Sequence, residues 1–189
     1  PARKDMWRFG GLMALDINNA DDAKHIIALG EGATPLLDYA HHPVARKAAL
    51  VLGLKEEGKA HAGFGANPTM SFKDRGMAMV VAQARRLGID RLAVPTQGNA
   101  GDSLTRYALE GGLSIVVAMP DDTPVPILGN VAAAAHRHPD RVVLELIGPT
   151  IREAGALLKE KYIPQGYFSV ATFQEPGWRI EGKKSLGLE

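Results

Sequence analysis

"RLAVPTQGNAGDSLTRYALEGGLSIVVAMP", Arg91 to Pro120, reads as a strand, a glycine-bearing turn, a helix and a second strand. Arg91–Thr96 is a short apolar run of strand length, read as buried. Leu113–Pro120 is rich in β-branched residues, which fit a pleated, packed surface. Ala100–Glu110 between them reads as a helix. Two strands joined through a helix are predicted to lie parallel, with the helix crossing one face of the sheet.

Working outward, the alternation continues on both sides. Upstream, Asp74–Leu87 carries Met77, Val80, Val81, Ala84 and Leu87 at helical spacing. Downstream, the reading is helix Pro124–His136, strand Arg141–Ile147, helix Thr150–Tyr162 and strand Tyr167–Thr172. The fold class is therefore α/β: a three-layer parallel sheet with helices on both faces, over residues 71–172. Residues 1–64 read as irregular. Within them, Glu31–Tyr39 is a turn entering an extended segment, because Pro35 biases Thr34 away from helix. Ala45–Glu57 could hold a short helix or a strand over Ala49–Leu54, and periodicity does not choose. Gly58–Ala66 is small, glycine-rich and read as a mobile loop.

Composition sets limits on function. The 189 residues are 46% hydrophobic and 23% charged, with a net charge of +1. The charges nearly cancel, so no strong field for nucleic acid or an acidic membrane is implied. With no cysteine, disulfides, thiolate metal sites and a cysteine nucleophile are excluded. No apolar run reaches the roughly 18 residues needed to span a bilayer. "PARKDMWRFG" has no signal-peptide core. A cytoplasmic protein without nucleic-acid or membrane partners is the expectation.

In parallel sheets ligands bind beyond the carboxyl ends of the strands, where loops enter helices. Two such places stand out: "NPTMSFKDRG" (Asn67–Gly76) and "TQGNAGDS" (Thr96–Ser103). Ser71 with Asp74 three residues on is a capping-box pattern, which would put Lys73 at the second helical position. That pattern accounts for Ser71 and Asp74 and leaves Lys73 as a solvated side chain. Yet a cation in the first turn faces the positive end of the helix dipole, at a cost of a few tenths to about 1 kcal/mol. The same field lowers the amine's pKa, and burial beside Phe72 and Met70 would lower it further. A lysine that must be neutral to attack a carbonyl gains from both.

These stretches carry a resemblance. "NPT" with "SFKDRG" resembles the Schiff-base motif of fold-type II pyridoxal-phosphate enzymes. "LGEGATPLL" (Leu29–Leu37) resembles the signature near the start of the threonine synthases within that group. "TQGNAG" is similar to their asparagine loop, and "FQEPGWRIEGKKSLGLE" (Phe173–Glu189) to the segment returning from their small domain to the large one. The resemblance implies pyridoxal 5'-phosphate as cofactor and Lys73 as the Schiff-base lysine, with Phe72 beside the cofactor. Asn99 would bond the ring 3-hydroxyl. Thr96, Gln97 and Gly98 would receive the substrate's anionic groups, and Arg179 its phosphate. The implied reaction converts O-phospho-L-homoserine and water to L-threonine and phosphate. Within the resemblance, residues 1–66 belong to a large domain, 67–172 form the small one and 173–189 return. A homodimer is expected of the full-length enzyme.

Some features depart from that pattern. Gln97 stands where the family usually has a small hydroxyl residue. Eight residues, "KAHAGFGA" (Lys59–Ala66), occupy a place where the family has about one. The family's glycine-rich phosphate loop and its hydroxyl residue for the pyridine nitrogen have no counterpart, so the chain is expected to be an N-terminal fragment. By itself it should hold no stoichiometric cofactor, with Lys73 solvated on an open surface. "EGKKSLGLE" reads as an unfinished helix.

Other features point to structure. His41-His42 and His136-x-His138 could suggest a metal, but the second pair lacks i, i+4 spacing and a third ligand nearby, and no metal is expected. Asp121-Asp122 is a helix-start acidic pair, and Trp7 and Trp178 are packing residues. Three rivals remain open: a serine/threonine dehydratase or β-replacing synthase using the same cofactor, a non-catalytic nucleotide-binding domain built on "GNAG", and a folded but inactive fragment.

Overall fold

The computed structural model describes residues 3–171 and 177–189. Thr172, the last residue of the expected final strand, and Phe173–Pro176 of the return segment lie outside the described residues.

The strands follow the apolar runs. Those of the main sheet are β3 (Arg91–Pro95), β4 (Ser114–Met119), β5 (Val142–Leu146) and the two-residue β6 (Phe168–Ser169). They follow a small hairpin-like pair, β1 (Leu36–Asp38) and β2 (Gly53–Lys55). The main sheet has the order β5-β4-β3-β6, and every pairing in it is parallel. Arg91 pairs with Ser114 and Pro95 with Ala118 across the two central strands.

Strand periodicity divides the core. Leu92, Val94, Ile115, Val117 and Met119 turn to one face. There they pack against α3 (Lys73–Arg86), α4 (Asn99–Glu110) and α5 (Val125–Arg137). Ala93, Val116 and Ala118 turn to the other face, against α6 (Ile151–Leu157) and the residues after it. Side chains alternate across a strand, so one chain feeds two cores. The expected three layers are therefore present. α6 starts in a true capping box, Thr150 with Glu153. The expected single helix to Tyr162 instead changes at Leu158–Tyr162 to one wider π turn, followed by a 3-10 turn at Ile163–Gln165.

The segment before α3 is more ordered than its sequence suggests. A 3-10 helix, Met6–Leu12, buries Met6 and Trp7 in the same core that α3 enters. Next come α1 (Ala20–Ala23), β1, α2 (Pro43–Ala48) and β2, which is antiparallel to β1. Ala49 takes a left-handed φ of 50° and ends α2. Ala49–Leu54 is thus neither one helix nor one strand, because the chain reverses inside it. The Gly58–Ala66 loop is anchored: the Gly65 N–H donates to the Ala33 carbonyl at 2.8 Å. A Cβ on Gly65 would lie 2.2 Å from the Gly32 oxygen.

After the sheet, α7 (Trp178–Lys183) lies against α3, and α8 (Ser185–Leu188) follows it. Two glycines permit the contact. A Cβ at Gly182 would sit 2.0 Å from the Arg75 carbonyl oxygen, and one at Gly76 3.1 Å from that of Arg179. Trp178 stacks on Phe168 with centroids 5.3 Å apart.

Candidate active site

The turn leading into α3 is built from its own polar residues. Asn67 is buried, and its Nδ2 donates to the Glu57 carbonyl at 3.0 Å and the Glu57 carboxylate at 2.7 Å. Asp74, fully buried, accepts from both the N–H and the hydroxyl of Thr69 at 2.7 Å. Met70 takes a left-handed φ of 56° between them, a conformation that persists only when its surroundings impose it. These bonds replace the expected capping box. Ser71 Oγ accepts from the Lys73 N–H at 3.2 Å, while Asp74 turns to Thr69 rather than back to Ser71. Phe72 occupies the cap position, so Lys73 is the first helical residue, not the second.

Lys73 is half-buried rather than solvated. Its Nζ lies 3.9 Å from the centroid of the Phe72 ring, and the Lys183 Nζ lies 5.6 Å from the same centroid. Burial, then the charges of Lys183 and Arg179, hold the Lys73 amine below the ordinary lysine value. The ring's attraction for a cation opposes this. Arg179 is buried, and its Nη1 donates to the Val170 carbonyl at 3.1 Å. The guanidinium thus bridges α7 to the chain just past β6.

The second sequence motif forms the turn from β3 to α4. Thr96 is buried; its hydroxyl accepts from the Gly98 N–H at 3.1 Å and donates to the Gly98 carbonyl at 3.2 Å. Gly98 is extended, and a Cβ there would meet nothing within 4 Å. Space is therefore open in front of α4, whose first residue is Asn99, exposed. Gly101 allows the helix to close on the turn, since a Cβ there would lie 2.6 Å from Thr96 Cγ2. Gln97 is exposed and donates to Asp122 at 3.3 Å.

The two motifs meet at the helix starts. Asp74, next to Lys73, lies beside Asp102 and Ser103 in the first turn of α4. Both helix N-termini therefore open at the carboxyl edge of the sheet. Lys73, Phe72 and Arg179 gather at one of them, and Thr96, Gln97, Gly98 and Asn99 line the other. Among the described residues no hydrogen bond joins the two groups directly. The donor set suits an anionic carbonyl compound with an aromatic ring. It combines an amine held below the ordinary lysine value, an aromatic wall, and open space before backbone N–H groups at a helix start.

Sequence reading missed the residues that hold this arrangement. Arg75 is fully buried and binds Glu57 with two bonds of 2.9 Å, Glu189 at 2.7 Å, Ser185 at 2.9 Å and Thr34 at 3.1 Å. Thr34 also donates to Glu57. Only its place inside "SFKDRG" marked Arg75, since its partners are far away in sequence. Lys183 carried no signal beyond belonging to a pair of lysines. Among the described residues, no group of three or more His, Asp or Glu side chains converges as a metal site.

Comparison with known proteins places the chain in a family. A family model described as "Pyridoxal-phosphate dependent enzyme" matches residues 27–189. The threonine synthase of Methanocaldococcus jannaschii is 34% identical over 189 residues, covering 97% of this chain and 40% of the relative. That of Methanosarcina acetivorans is 29% identical over 184 residues, with the same coverage. The chain thus spans 40% of the length of these curated relatives. Among solved structures, diaminopropionate ammonia lyase from Escherichia coli superposes with a TM-score of 0.66 at 19% identity, over 88% of this chain and 44% of that one. Threonine deaminase isoform 2 from Solanum lycopersicum gives 0.65 at 20%, over 83% and 39%. At these identities the structures speak for the fold alone.

Proposed function

Since the chain belongs to the pyridoxal-phosphate dependent enzymes, we propose that it is part of a threonine synthase, converting O-phospho-L-homoserine and water to L-threonine and phosphate. The observation that carries this reading is the half-buried Lys73 at the start of α3, its amine depressed by burial and by two neighbouring cations. The threonine synthase relatives support the choice of reaction, as does "LGEGATPLL", which sets the chain apart from dehydratases. Residues 1–66 are read as part of the large domain, 67–172 as the small domain and 173–189 as the return. The longer protein is read as a cytoplasmic homodimer.

Lys73 would hold the cofactor through its amine, Phe72 would wall one side, and Asn99 would donate to the ring hydroxyl. The bound cofactor supplies an electron sink for the pair released when the substrate's α-hydrogen leaves. The chain's residues do the rest. Lys73 Nζ, unprotonated, takes that proton and can return it to carbon. Thr96, Gln97 and Gly98 line the place where a substrate anion would meet the N–H groups at the α4 start. Arg179 adds positive charge on the side where phosphate leaves.

The test is chemical trapping. With excess cofactor and borohydride, the chain should gain one stable adduct, and peptide mass spectrometry should place it on Lys73. Lys73→Ala should lose it. So should Lys73→Arg, because a guanidinium stays charged and does not attack an aldehyde. An adduct on another lysine would refute the assignment. Phosphate release from O-phosphohomoserine by the longer protein tests the choice of substrate.

A further inference from the structure

We propose that Lys183 is a positioning residue for Lys73: its ammonium, held against the same aromatic ring, keeps the Lys73 amine available as a nucleophile. The inference deepens the reading of Lys73 as the cofactor anchor and rests on it.

The geometry is set by the backbone. α7 approaches α3 closely because Gly182 and Gly76 face the opposing chain. With no side chain at Gly76, the Lys183 stem can cross α3 one turn after Lys73; a Cβ at Gly76 would lie 3.4 Å from Lys183 Cε. That crossing brings the Lys183 Nζ to 5.6 Å from the Phe72 centroid, while the Lys73 Nζ stands 3.9 Å from it. Two primary amines thus share one ring. Like charges so placed favour loss of a proton from one of them, and a second cation next to a lysine is a known means of activating it.

Among the described residues, the other charged groups near Lys73 do not cancel the effect. From α7, Arg179 adds a positive charge. On α3 itself, the Asp74 carboxylate is turned to Thr69, and from α4 Asp102 faces Asp74. Lys183 is also the more exposed of the two α7 cations, since Arg179 is buried against Val170. A chain with an uncharged side chain at 183 would keep the Arg179 field and lose this repulsion.

The experiment is trace acylation of the 189-residue chain with an amine-specific reagent, from neutral to alkaline pH, read at Lys73 by peptide mass spectrometry. No cofactor is needed, so its outcome is independent of the borohydride trapping that tests the anchor itself. Lys183→Met should lower Lys73 labelling at neutral pH roughly threefold, because losing a neighbouring positive charge favours the protonated amine. Lys183→Arg should label as the unmodified chain does. A merely structural role for Lys183 predicts no upward shift of the Lys73 titration. In the unmodified chain, high salt should reduce Lys73 labelling toward the Lys183→Met level, because screening weakens a repulsion between charges at the surface. If Lys183→Met does not fold, as judged by circular dichroism, the salt series and Lys183→Arg decide. An unchanged titration in Lys183→Met, a Lys183→Arg chain that loses labelling, or a salt-insensitive Lys73 would each overturn the proposal.

Discussion

Glu31 shows what one side chain contributes beyond its motif. It is fully buried and accepts hydrogen bonds from Trp7 Nε1 at 2.6 Å, the Tyr107 hydroxyl at 2.8 Å and the Leu29 N–H at 2.8 Å. All three donors are uncharged, and burial pushes the carboxyl up from 4.5 to about 7. In that interval the folded chain binds a proton that the unfolded chain has lost. Stability is therefore greatest at the acid end and falls as pH rises through about 7, by about 3 kcal/mol if nothing else titrates. Urea unfolding at a series of pH values should show this slope, and Glu31→Gln should flatten it. A slope that survives the substitution would mean that another group is responsible. Trp7 was legible as a packing residue, but its bond to Glu31 was not.

At the scale of elements, the contact between α3 and α7 decides both packing and chemistry. Gly182→Ala would set a methyl 2.0 Å from the Arg75 carbonyl oxygen, a backbone atom that cannot step aside. The helices must separate, at a cost of about 1–3 kcal/mol as for other overpacked sites. Gly187→Ala is the control: it lies in α8, and a Cβ there meets nothing within 4 Å. It should be neutral or stabilising by up to about 1 kcal/mol, since alanine is the better helix former. Chemical denaturation of both variants measures the difference, and equal effects would refute the close contact. Because α7 carries Lys183, Gly182→Ala should also lower Lys73 labelling. The strands and helices of the sheet were legible because their periodicity is local. The start of α3 was misread in detail, since Asp74 found a better partner in Thr69 than in the cap.

For the whole molecule, Arg75 is the junction. It joins Glu57, Thr34, Ser185 and Glu189, so the segments flanking β1 and β2 and the end of the chain all meet on α3. Despite the cost of burial, bonds from Arg75 and Lys55 and the Ala33 N–H bring the Glu189 carboxyl down from 4.5 to about 2. Stability from this pairing is present above about 4.5 and is lost as pH falls through about 2. Arg75→Ala should destabilise the chain by about 3 kcal/mol, because it leaves the Glu57 and Glu189 carboxylates with Lys55 as their remaining counter-charge. Arg75→Lys should rescue little, since one ammonium cannot replace a guanidinium fork. Thermal unfolding would decide, with near-normal stability of Arg75→Ala counting against the junction.

Cofactor retention also belongs to this scale. The one side-chain hydrogen bond proposed for Asn99 is worth roughly 1 kcal/mol, and a tenfold gain in affinity takes about 1.4 kcal/mol. The 189-residue chain, dialysed after loading, should therefore keep less than one equivalent of cofactor, as read by visible absorbance. Stoichiometric retention would show that further groups in this chain hold it.

Local pattern determined the parallel α/β sheet, the turns at Lys73 and Gly98, and the kinship with pyridoxal-phosphate enzymes, because each depends on residues only a few positions apart. Tertiary structure alone decided that Arg75 is buried, that Glu31 is enclosed by neutral donors, and that Lys183 comes to share the Phe72 ring with Lys73. Those facts depend on partners brought from as far as 114 positions away. Charge and burial at such contacts are set by packing between elements, which local periodicity does not encode.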